Sequence, residues 1–148
     1  MRTNVYIDGF NLYYGALRGT AHKWLNPWVM CQALLPQHQI AELKYFTANV
    51  SSRPSDPGAP TRQQAYLRAL ATLPNTQIVY GHFLTNEVWM PEAGVGVLNP
   101  HRKPAHKLRQ VASFLKPIRE GVLRASQFAT TLHDANGTVL VSSRSFQL

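Results

Sequence analysis

The sequence predicts an α/β fold with a mostly parallel sheet, and three observations support this prediction. The chain has 148 residues, of which 45% are hydrophobic and 10% aromatic, enough for one packed core. Strand-like and helix-like segments alternate from the N-terminus to Leu84. The order strand, helix, strand, helix, strand is typical of a parallel sheet built from right-handed crossovers.

The first predicted strand ends in a short acidic turn. Asn4 to Ile7 is β-prone and runs into Asp8, which is followed by a glycine. The Asp8 side chain is therefore expected at the C-terminal end of a buried strand, where functional groups often lie. Asn11 is expected to cap a short helix over Leu12 to Leu17.

Two further helices and two further strands are predicted before Leu84. The pairing of Thr61 with Gln64 has the pattern of a capping box, and residues 51–60 have the Ser, Pro and Gly content of an exposed loop. The predicted elements are a helix over 27–35 capped by Asn26, a strand within 40–50, a helix from Thr61 that Pro74 stops, and a strand over 77–84.

The second half of the chain departs from this alternation. Val95 to Leu98 predicts a strand, although the chain before it has no room for a crossover helix. Asn136-Gly137 predicts a two-residue turn between the strands of a C-terminal hairpin. An apolar stripe with helical spacing predicts a helix that starts near Pro104 and has a basic opposite face; its members are Leu108, Val111, Ala112 and Leu115.

The composition of the chain indicates which class of molecule it binds. Fifteen Lys and Arg against seven Asp and Glu give a net charge of +8, which favours a polyanionic partner, although a basic surface without a partner explains it too. With no long apolar run and no signal-peptide pattern, we expect a cytoplasmic protein with no membrane partner. The single cysteine, Cys31, lies in an apolar stretch and is expected to be a buried, inert thiol.

The string Ile7-Asp8-Gly9-Phe10-Asn11-Leu12 resembles the first strand and turn of the NYN domain, a group within the PIN-like nucleases. An Asp-Gly dipeptide alone would be ordinary turn chemistry, but here it follows a predicted buried strand in an α/β order. The resemblance covers most of the chain. It continues through Lys44 to Thr47, Thr61 to Leu73, Ile78 to Phe83 and Val95 to Pro100.

The resemblance implies a PIN-like three-layer fold whose carboxylates gather at the C-terminal ends of central strands. In such proteins these carboxylates hold Mg²⁺ or Mn²⁺ and RNA is cleaved, because a hard cation takes oxygen ligands and activates water. It implies that Asp8 is a catalytic metal ligand and that Asn11 orients Asp8 or contacts a phosphate. The residues alone leave another role open, since Asp8 could simply cap the next helix or turn.

Most of the acidic centre that the family uses is absent from this sequence. The other family acids come from a central helix and from a strand ending in Asp-x-Asp, yet between Gly81 and Val97 the only carboxylates are Glu87 and Glu92. The chain resembles a family sequence that has lost one central strand and its helices. We therefore expect impaired or absent catalysis, and doubtful binding of Mg²⁺ or Mn²⁺.

The missing strand would lie beside the first strand in a PIN-like sheet. Its loss is expected to expose the edge and the apolar surface of Val5 and Ile7, unless Val95 to Leu98 or a partner chain fills the gap. A homo-oligomer that covers the edge is one such solution. We place an incomplete NYN/PIN-like domain over residues 1–128 and a hairpin or tail over 129–148.

Basic residues form the second candidate site. They flank the loop and helix after the second strand and follow the last family strand, Val95 to Leu98, where clustered cations would track an RNA backbone. For the tryptophans, packing in or at the rim of the core is favoured over base stacking. The residues selected for RNA binding are Arg53, Arg62, Arg102, Lys103 and Lys107.

Three functional hypotheses follow from the sequence. The first is a protein derived from NYN-type metal-dependent ribonucleases, with Asp8 and Asn11 as its surviving site residues. The second is a non-catalytic RNA-binding or assembly module that keeps the scaffold and the charge. The third is a truncated or artefactual reading frame without independent function, which predicts aggregation or a non-cooperative melt.

Overall fold

The computed structural model describes residues 1–81, 96–101, 110, 112–137 and, for their backbone alone, 139–141. Within these ranges the protein is α/β with mostly parallel strands, which confirms the predicted fold class. The elements are β1 (Arg2–Asp8), α1 (Gly9–Leu12), a π-helical turn (Tyr13–Leu17), α2 (Pro27–Leu34), β2 (Gln39–Thr47), α3 (Ala59–Leu70), β3 (Thr76–Tyr80), β4 (Gly96–Asn99), β5 (Phe114–Pro117), α4 (Glu120–Ala125), β6 (Thr131–His133) and β7 (Val139–Val141).

The main sheet has three parallel strands in the order β1-β2-β3. Helix α2 lies in the connection from β1 to β2, and α3 lies in the connection from β2 to β3. Both crossovers move in the same direction across the sheet, and right-handed crossovers of this kind place both helices on the same face. One hydrophobic core accordingly includes residues of α2 and α3.

The core lies between the helices and one face of the main sheet. Val5 and Ile7 of β1 and Leu43 of β2 point into it and are buried. Helix α2 adds Met30 and Cys31, both buried. Burial raises the pKa of the Cys31 thiol to about 12, so this side chain stays protonated, as expected for an inert core residue.

A bulge adjusts the register of β1 and β2. The pairing shifts between Thr3 and Asn4, so that Ala41 of β2 has no partner in β1. The bulge allows Ile40 and Leu43 to be buried together although they are three residues apart. Side chains of a regular strand alternate with a period of two, so these two would otherwise face opposite sides.

Strands β4 and β5 form a second parallel pair that packs against the same core through Leu98 and Phe114. Lys116 Nζ donates to the carbonyl oxygen of Leu34 at 2.7 Å, which ties β5 to the end of α2. The predicted strand over Val95 to Leu98 thus exists as β4, starting at Gly96. It pairs with β5 rather than beside β1.

The edge of β1 is open among the described strands, because β2 is its one neighbour there. The expected exposure of Val5 and Ile7 is wrong, however, since both side chains are buried in the core. They point at the helices on one face of the sheet, and this burial does not require a further strand at the edge.

Two sequence-based helix assignments need correction. Thr61 was expected to begin a helix as part of a capping box, but α3 begins at Ala59 and its N-cap, Gly58, makes no side-chain capping bond. Leu115 was assigned to the apolar stripe of a helix, but it lies in β5. Its pairing with Val97 across the second sheet uses extended backbone; the predicted helix between 102 and 109 lies outside the described residues.

The C-terminal hairpin is confirmed, with a longer turn than predicted. Strands β6 and β7 are antiparallel, and five residues, 134–138, connect them rather than two. Gly137 has φ +73 and its N–H donates to the carbonyl oxygen of Asp134 at 2.9 Å, so the turn spans Asp134 to Gly137. Arg68 of α3 donates to Asp134 at 2.6 Å and fixes the hairpin to the domain.

The helices of the described part are short. The longest, α3, has 12 residues, whereas crossing a bilayer takes about 20. None of the helices in these ranges is long and apolar enough to cross a membrane.

The buried hydroxyl of Ser126 and the helix cap formed by Asn26 provide a stability test. The hydroxyl of Ser126 is buried, with a residue exposure of 1%, and has no hydrogen-bond partner among the described residues. We expect Ser126→Ala to leave the free energy of unfolding unchanged or to raise it by up to about 1 kcal/mol. Urea unfolding measures this, and a loss above about 1 kcal/mol would show that the hydroxyl has a partner.

Asn26→Ala is the matched comparison. Its side chain accepts a bond from the backbone N–H of Val29 at 3.1 Å and caps α2. Losing such a cap costs about 1 kcal/mol, so this variant should unfold at lower urea than Ser126→Ala.

Candidate functional site

Asp8 lies at the C-terminal end of β1 and caps helix α1. Its Oδ1 accepts bonds from the backbone N–H groups of Phe10 and Asn11, each at 3.1 Å. Its Oδ2 accepts a bond from Asn11 Nδ2 at 2.7 Å. The capping role that the residues left open is therefore present, and Asn11, which was expected to cap the next helix, lies inside α1 and braces the carboxylate instead.

The bracing leaves Asp8 able to take one further ligand. A carboxylate offers about four acceptor positions, and three hydrogen bonds use all but one of them. Asp8 is exposed, so the remaining position on Oδ2 is open to solvent. Capping and ligand binding by Asp8 are therefore compatible.

Gly9 packs directly on the ring of Tyr45. A Cβ atom at position 9 would lie 2.6 to 2.7 Å from three ring atoms of Tyr45, including the hydroxyl oxygen. Tyr45 is buried, and burial together with the charge of Asp8 raises the pKa of its hydroxyl, which stays protonated. The Asp-Gly sequence is thus needed here for close packing, since any larger residue would push the Asp8 turn away from β2.

The other described carboxylates each contact a Lys, Arg or His side chain. Glu42 contacts Lys44 at 3.5 Å, Asp56 contacts Arg62 at 2.5 Å, Glu120 contacts His22 at 3.3 Å and Asp134 contacts Arg68 at 2.6 Å. Glu42 also lies at the other end of the sheet, because its register partner is Asn4. Four residues of strand separate Asn4 from Asp8, which is about 13 Å.

The described residues do not by themselves fit a Mg²⁺ or Mn²⁺ centre. They contain no group of three His, Cys, Asp or Glu that could hold a metal ion. Asp8 supplies one oxygen ligand, whereas these cations need several well-placed oxygens to replace their water. Glu87 and Glu92 lie outside the described residues, so further ligands from them, from a second chain or from a substrate phosphate would have to complete the site.

The predicted basic residues divide between the described and undescribed parts. Arg53 is exposed in the loop before α3, and its carbonyl oxygen accepts a bond from the N–H of Asp56. Arg62 lies on α3 with its guanidinium paired to Asp56. These two arginines and Asp56 form a local cluster in the loop and at the start of α3. Arg102, Lys103 and Lys107 lie outside the described residues.

The two described tryptophans behave as expected for packing residues. Trp24 is buried and its Nε1 donates to the carbonyl oxygen of Ala129 at 3.0 Å. Trp28 is half-buried and packs against the core. Trp89 lies outside the described residues.

Sequence reasoning missed the second face of the main sheet, here called the open face. No helix of the described part packs on it, and its largest side chains are exposed, Tyr6 by 51% and Phe46 by 40%. Their rings stack with centroids 6.3 Å apart. The open face consists of Asn4, Tyr6 and Asp8 of β1, Glu42, Lys44 and Phe46 of β2, and Gln77 and Val79 of β3.

A signal for the open face exists in the sequence. Strands that are buried on both faces are almost continuously apolar, whereas β1 alternates polar or amphipathic residues with apolar ones. Asn4, Tyr6 and Asp8 alternate with Val5 and Ile7. Alternation of this kind predicts a half-buried strand, and it places Asp8 on the open side.

A second aromatic group follows Asp8 in the chain. Phe10 and Tyr14 stack with centroids 6.5 Å apart, and Tyr13 meets Tyr14 edge-on at 5.2 Å. The Arg18 guanidinium lies 5.4 Å from the centre of the Tyr14 ring. Aromatic side chains thus occupy both the strand before Asp8 and the helical turns after it.

The chain has a partial relative among curated proteins. It is similar to 6-hydroxy-3-succinoylpyridine 3-monooxygenase HspA of Pseudomonas putida (strain DSM 28022 / S16), with 32% identity over 123 residues that cover 70% of this chain. The chain spans 39% of the length of that relative. No family model and no solved structure matches the chain. The likeness therefore concerns part of a longer protein.

The packing of Gly9 on Tyr45 gives a test of the site's support. We expect Gly9→Ala to lower the free energy of unfolding by about 1–3 kcal/mol, because the buried Tyr45 ring leaves no room for a methyl group. Gly121→Ala is the control, since a Cβ there meets no described atom within 4 Å, and alanine favours a helix over glycine by about 1 kcal/mol. Urea unfolding compares them, and equal stabilities would show that Gly9 is not tightly packed.

Proposed function

We propose that this chain is an NYN-type protein that binds RNA, related to metal-dependent ribonucleases but with impaired or absent catalysis. One observation carries the proposal: an exposed carboxylate, Asp8, stands at the C-terminal end of a parallel strand and is oriented by Asn11. Ligands of open α/β sheets generally bind at this end of the strands. The motif from Ile7 to Leu12 and the net charge of +8 agree with this function.

Weak or absent cleavage is proposed because the described part of the chain offers one suitably placed carboxylate. The remaining described carboxylates contact Lys, Arg or His side chains. The resemblance of the motif to active nucleases implies that a metal bound at Asp8 would supply charge neutralisation and an activated water. In this chain Glu87, Glu92 or a neighbouring chain would have to complete the ligand set. The non-catalytic RNA-binding or assembly module is thus the close alternative.

A second candidate function comes from the partial relative. The similarity to a protein named as a monooxygenase of 6-hydroxy-3-succinoylpyridine suggests a domain that holds a pyridine compound. The exposed rings of Tyr6 and Phe46 could also stack on a single heterocycle. Equilibrium dialysis with 6-hydroxy-3-succinoylpyridine separates the two functions: saturable binding of this compound, with no binding of RNA, would favour the second.

The open edge of β1 supports a proposal about assembly. Its outer N–H and C=O groups have no strand partner among the described residues, and such edges pair readily with another chain. We propose a homo-oligomer formed through this edge. Light scattering during gel filtration measures the mass, and a monomer at all concentrations would contradict this assembly.

RNA binding should depend strongly on salt. Between about 50 and 200 mM salt, affinity for a single-stranded RNA should fall about tenfold or more, as expected when a few phosphates release counterions. Fluorescence anisotropy measures the affinity at each salt concentration.

Arg53→Gln should weaken binding of RNA and reduce its salt dependence, because Arg53 is exposed. Arg68→Gln is the control, since its guanidinium is held by Asp134. Absence of binding at low salt would exclude the RNA function.

Capping by Asp8 and metal ligation by Asp8 can be separated by two substitutions. Asparagine caps helices as well as aspartate does, so Asp8→Asn should keep the stability of the protein within about 0.5 kcal/mol, whereas Asp8→Ala should lose about 0.5–2 kcal/mol. If Asp8 is a ligand, any cleavage of RNA with Mg²⁺ or Mn²⁺ should fall in both variants.

Cleavage that is unchanged in Asp8→Asn would rule out Asp8 as a ligand. If cleavage does fall in Asp8→Asn, Glu87→Gln and Glu92→Gln identify the second carboxylate. The variant that removes it should lose cleavage to the same extent as Asp8→Asn. Binding of RNA without cleavage by the unsubstituted chain would establish the non-catalytic alternative.

A further inference from the structure

The open face is unusual because it belongs to a parallel sheet. Parallel sheets are normally covered on both faces. Here the described helices cover one face, while Tyr6 and Phe46 on the other are exposed by 51% and 40%. Two exposed aromatic rings in contact with each other form a candidate binding surface.

We propose that the open face binds unpaired bases of single-stranded RNA, with Tyr6 and Phe46 as the stacking surface. This inference rests on the proposed RNA-binding function and assigns it to particular residues. It differs from the sequence-based expectation, which placed RNA contacts on basic residues alone.

The geometry of the two rings suits stacking. Their centroids are 6.3 Å apart with an angle of 30° between the planes, so the rings lie side by side and each keeps part of its surface in solvent. Aromatic side chains on the exposed face of a sheet hold splayed bases in RNA-binding domains. Stacking of this type tolerates any base, since every base has an aromatic face.

Polar side chains continue the open face toward the amino ends of the strands. Arg2, Asn4, Glu42 and Gln77 line a groove there. Amide side chains both donate and accept hydrogen bonds, as the edges of unpaired bases do. A strand of RNA that stacks on the rings can therefore form hydrogen bonds in the groove.

The rings also connect the groove to Asp8. Phe46 is the register partner of Asp8, and neighbouring strands are about 5 Å apart. A nucleotide stacked on Phe46 therefore lies beside the carboxylate that the proposed function assigns to the site. Groove, rings and Asp8 form a continuous path along the strands.

Charge favours RNA over a second copy of the chain as the occupant. The chain as a whole carries +8, which attracts RNA. Protein interfaces are depleted of charged residues at their centres. The open face instead carries Lys44 next to Tyr6, and Lys44 forms a half-exposed pair with Glu42 that contributes little stability.

The experiment measures affinity for a fluorescent single-stranded oligouridylate at low salt. Tyr6→Leu and Phe46→Leu should each weaken binding at least about fivefold, the lower limit for one base stacked on a ring. Tyr6→Phe keeps the ring and should bind as the unsubstituted chain does. Tyr14→Leu is the control, because Tyr14 is equally exposed, by 55%, but lies beyond Asp8 on the helical side. Thermal melting confirms that each variant is folded.

A duplex of matched length completes the design, because its bases are paired and should bind less tightly than the single strand. The stacking proposal is overturned if both leucine variants bind like the unsubstituted chain, if Tyr14→Leu loses as much affinity, or if the duplex binds equally well. It is also overturned if the leucine variants instead change the molecular mass of an oligomer, which would identify a second copy as the occupant. If the unsubstituted chain binds no RNA, the proposed function fails together with the stacking proposal.

Discussion

The direction of the two crossovers constrains the rest of the structure. Strands β1, β2 and β3 follow one another across the sheet, and right-handed connections then place α2 and α3 on the same face. That face acquires a core, and the opposite face receives no helix from these connections. Coverage of the second face normally comes from strands added on the far side of β1, where the chain reverses direction across the sheet. Here β4 pairs with β5 instead.

The core beneath the sheet explains why the Asp8 turn is well defined. Tyr45 supports Gly9 from below, and its ring meets that of Tyr66 edge-on at 6.2 Å. Tyr66 donates its hydroxyl proton to the carbonyl oxygen of Leu25 at 2.8 Å and contacts the rings of Trp24 and Phe128. Buried aromatic pairs of this kind contribute about 0.5–1.5 kcal/mol each beyond their area burial. The turn that carries Asp8 therefore rests on the most aromatic part of the core.

The sequence was sufficient for the α/β class, the parallel order, the cap of α2 by Asn26 and the C-terminal hairpin, because local patterns determine these features. It was not sufficient where tertiary contacts decide. Thr61 and Gln64 have a capping-box spacing, yet the helix begins two residues earlier, at Ala59. The neighbouring Gln63 makes a tertiary contact, donating to the carbonyl oxygen of Ala48. Leu115 fits a helical stripe, but pairing with β4 makes it a strand residue. At the site, the motif predicted that Asp8 and Asn11 lie together, and the alternation in β1 indicates a half-buried strand. Which elements cover its apolar side is decided by the direction of the crossovers.

The central claim is that RNA lies on the open face and ends beside Asp8, and NMR mapping of an RNA titration tests it most directly. With a short single-stranded oligonucleotide at low salt, the backbone amide signals of Tyr6, Asp8 and Phe46 should shift together and saturate at one affinity. Shifts confined to the loop around Arg53 and to α3, with β1 and β2 unchanged, would contradict the claim and place RNA on the basic surface alone.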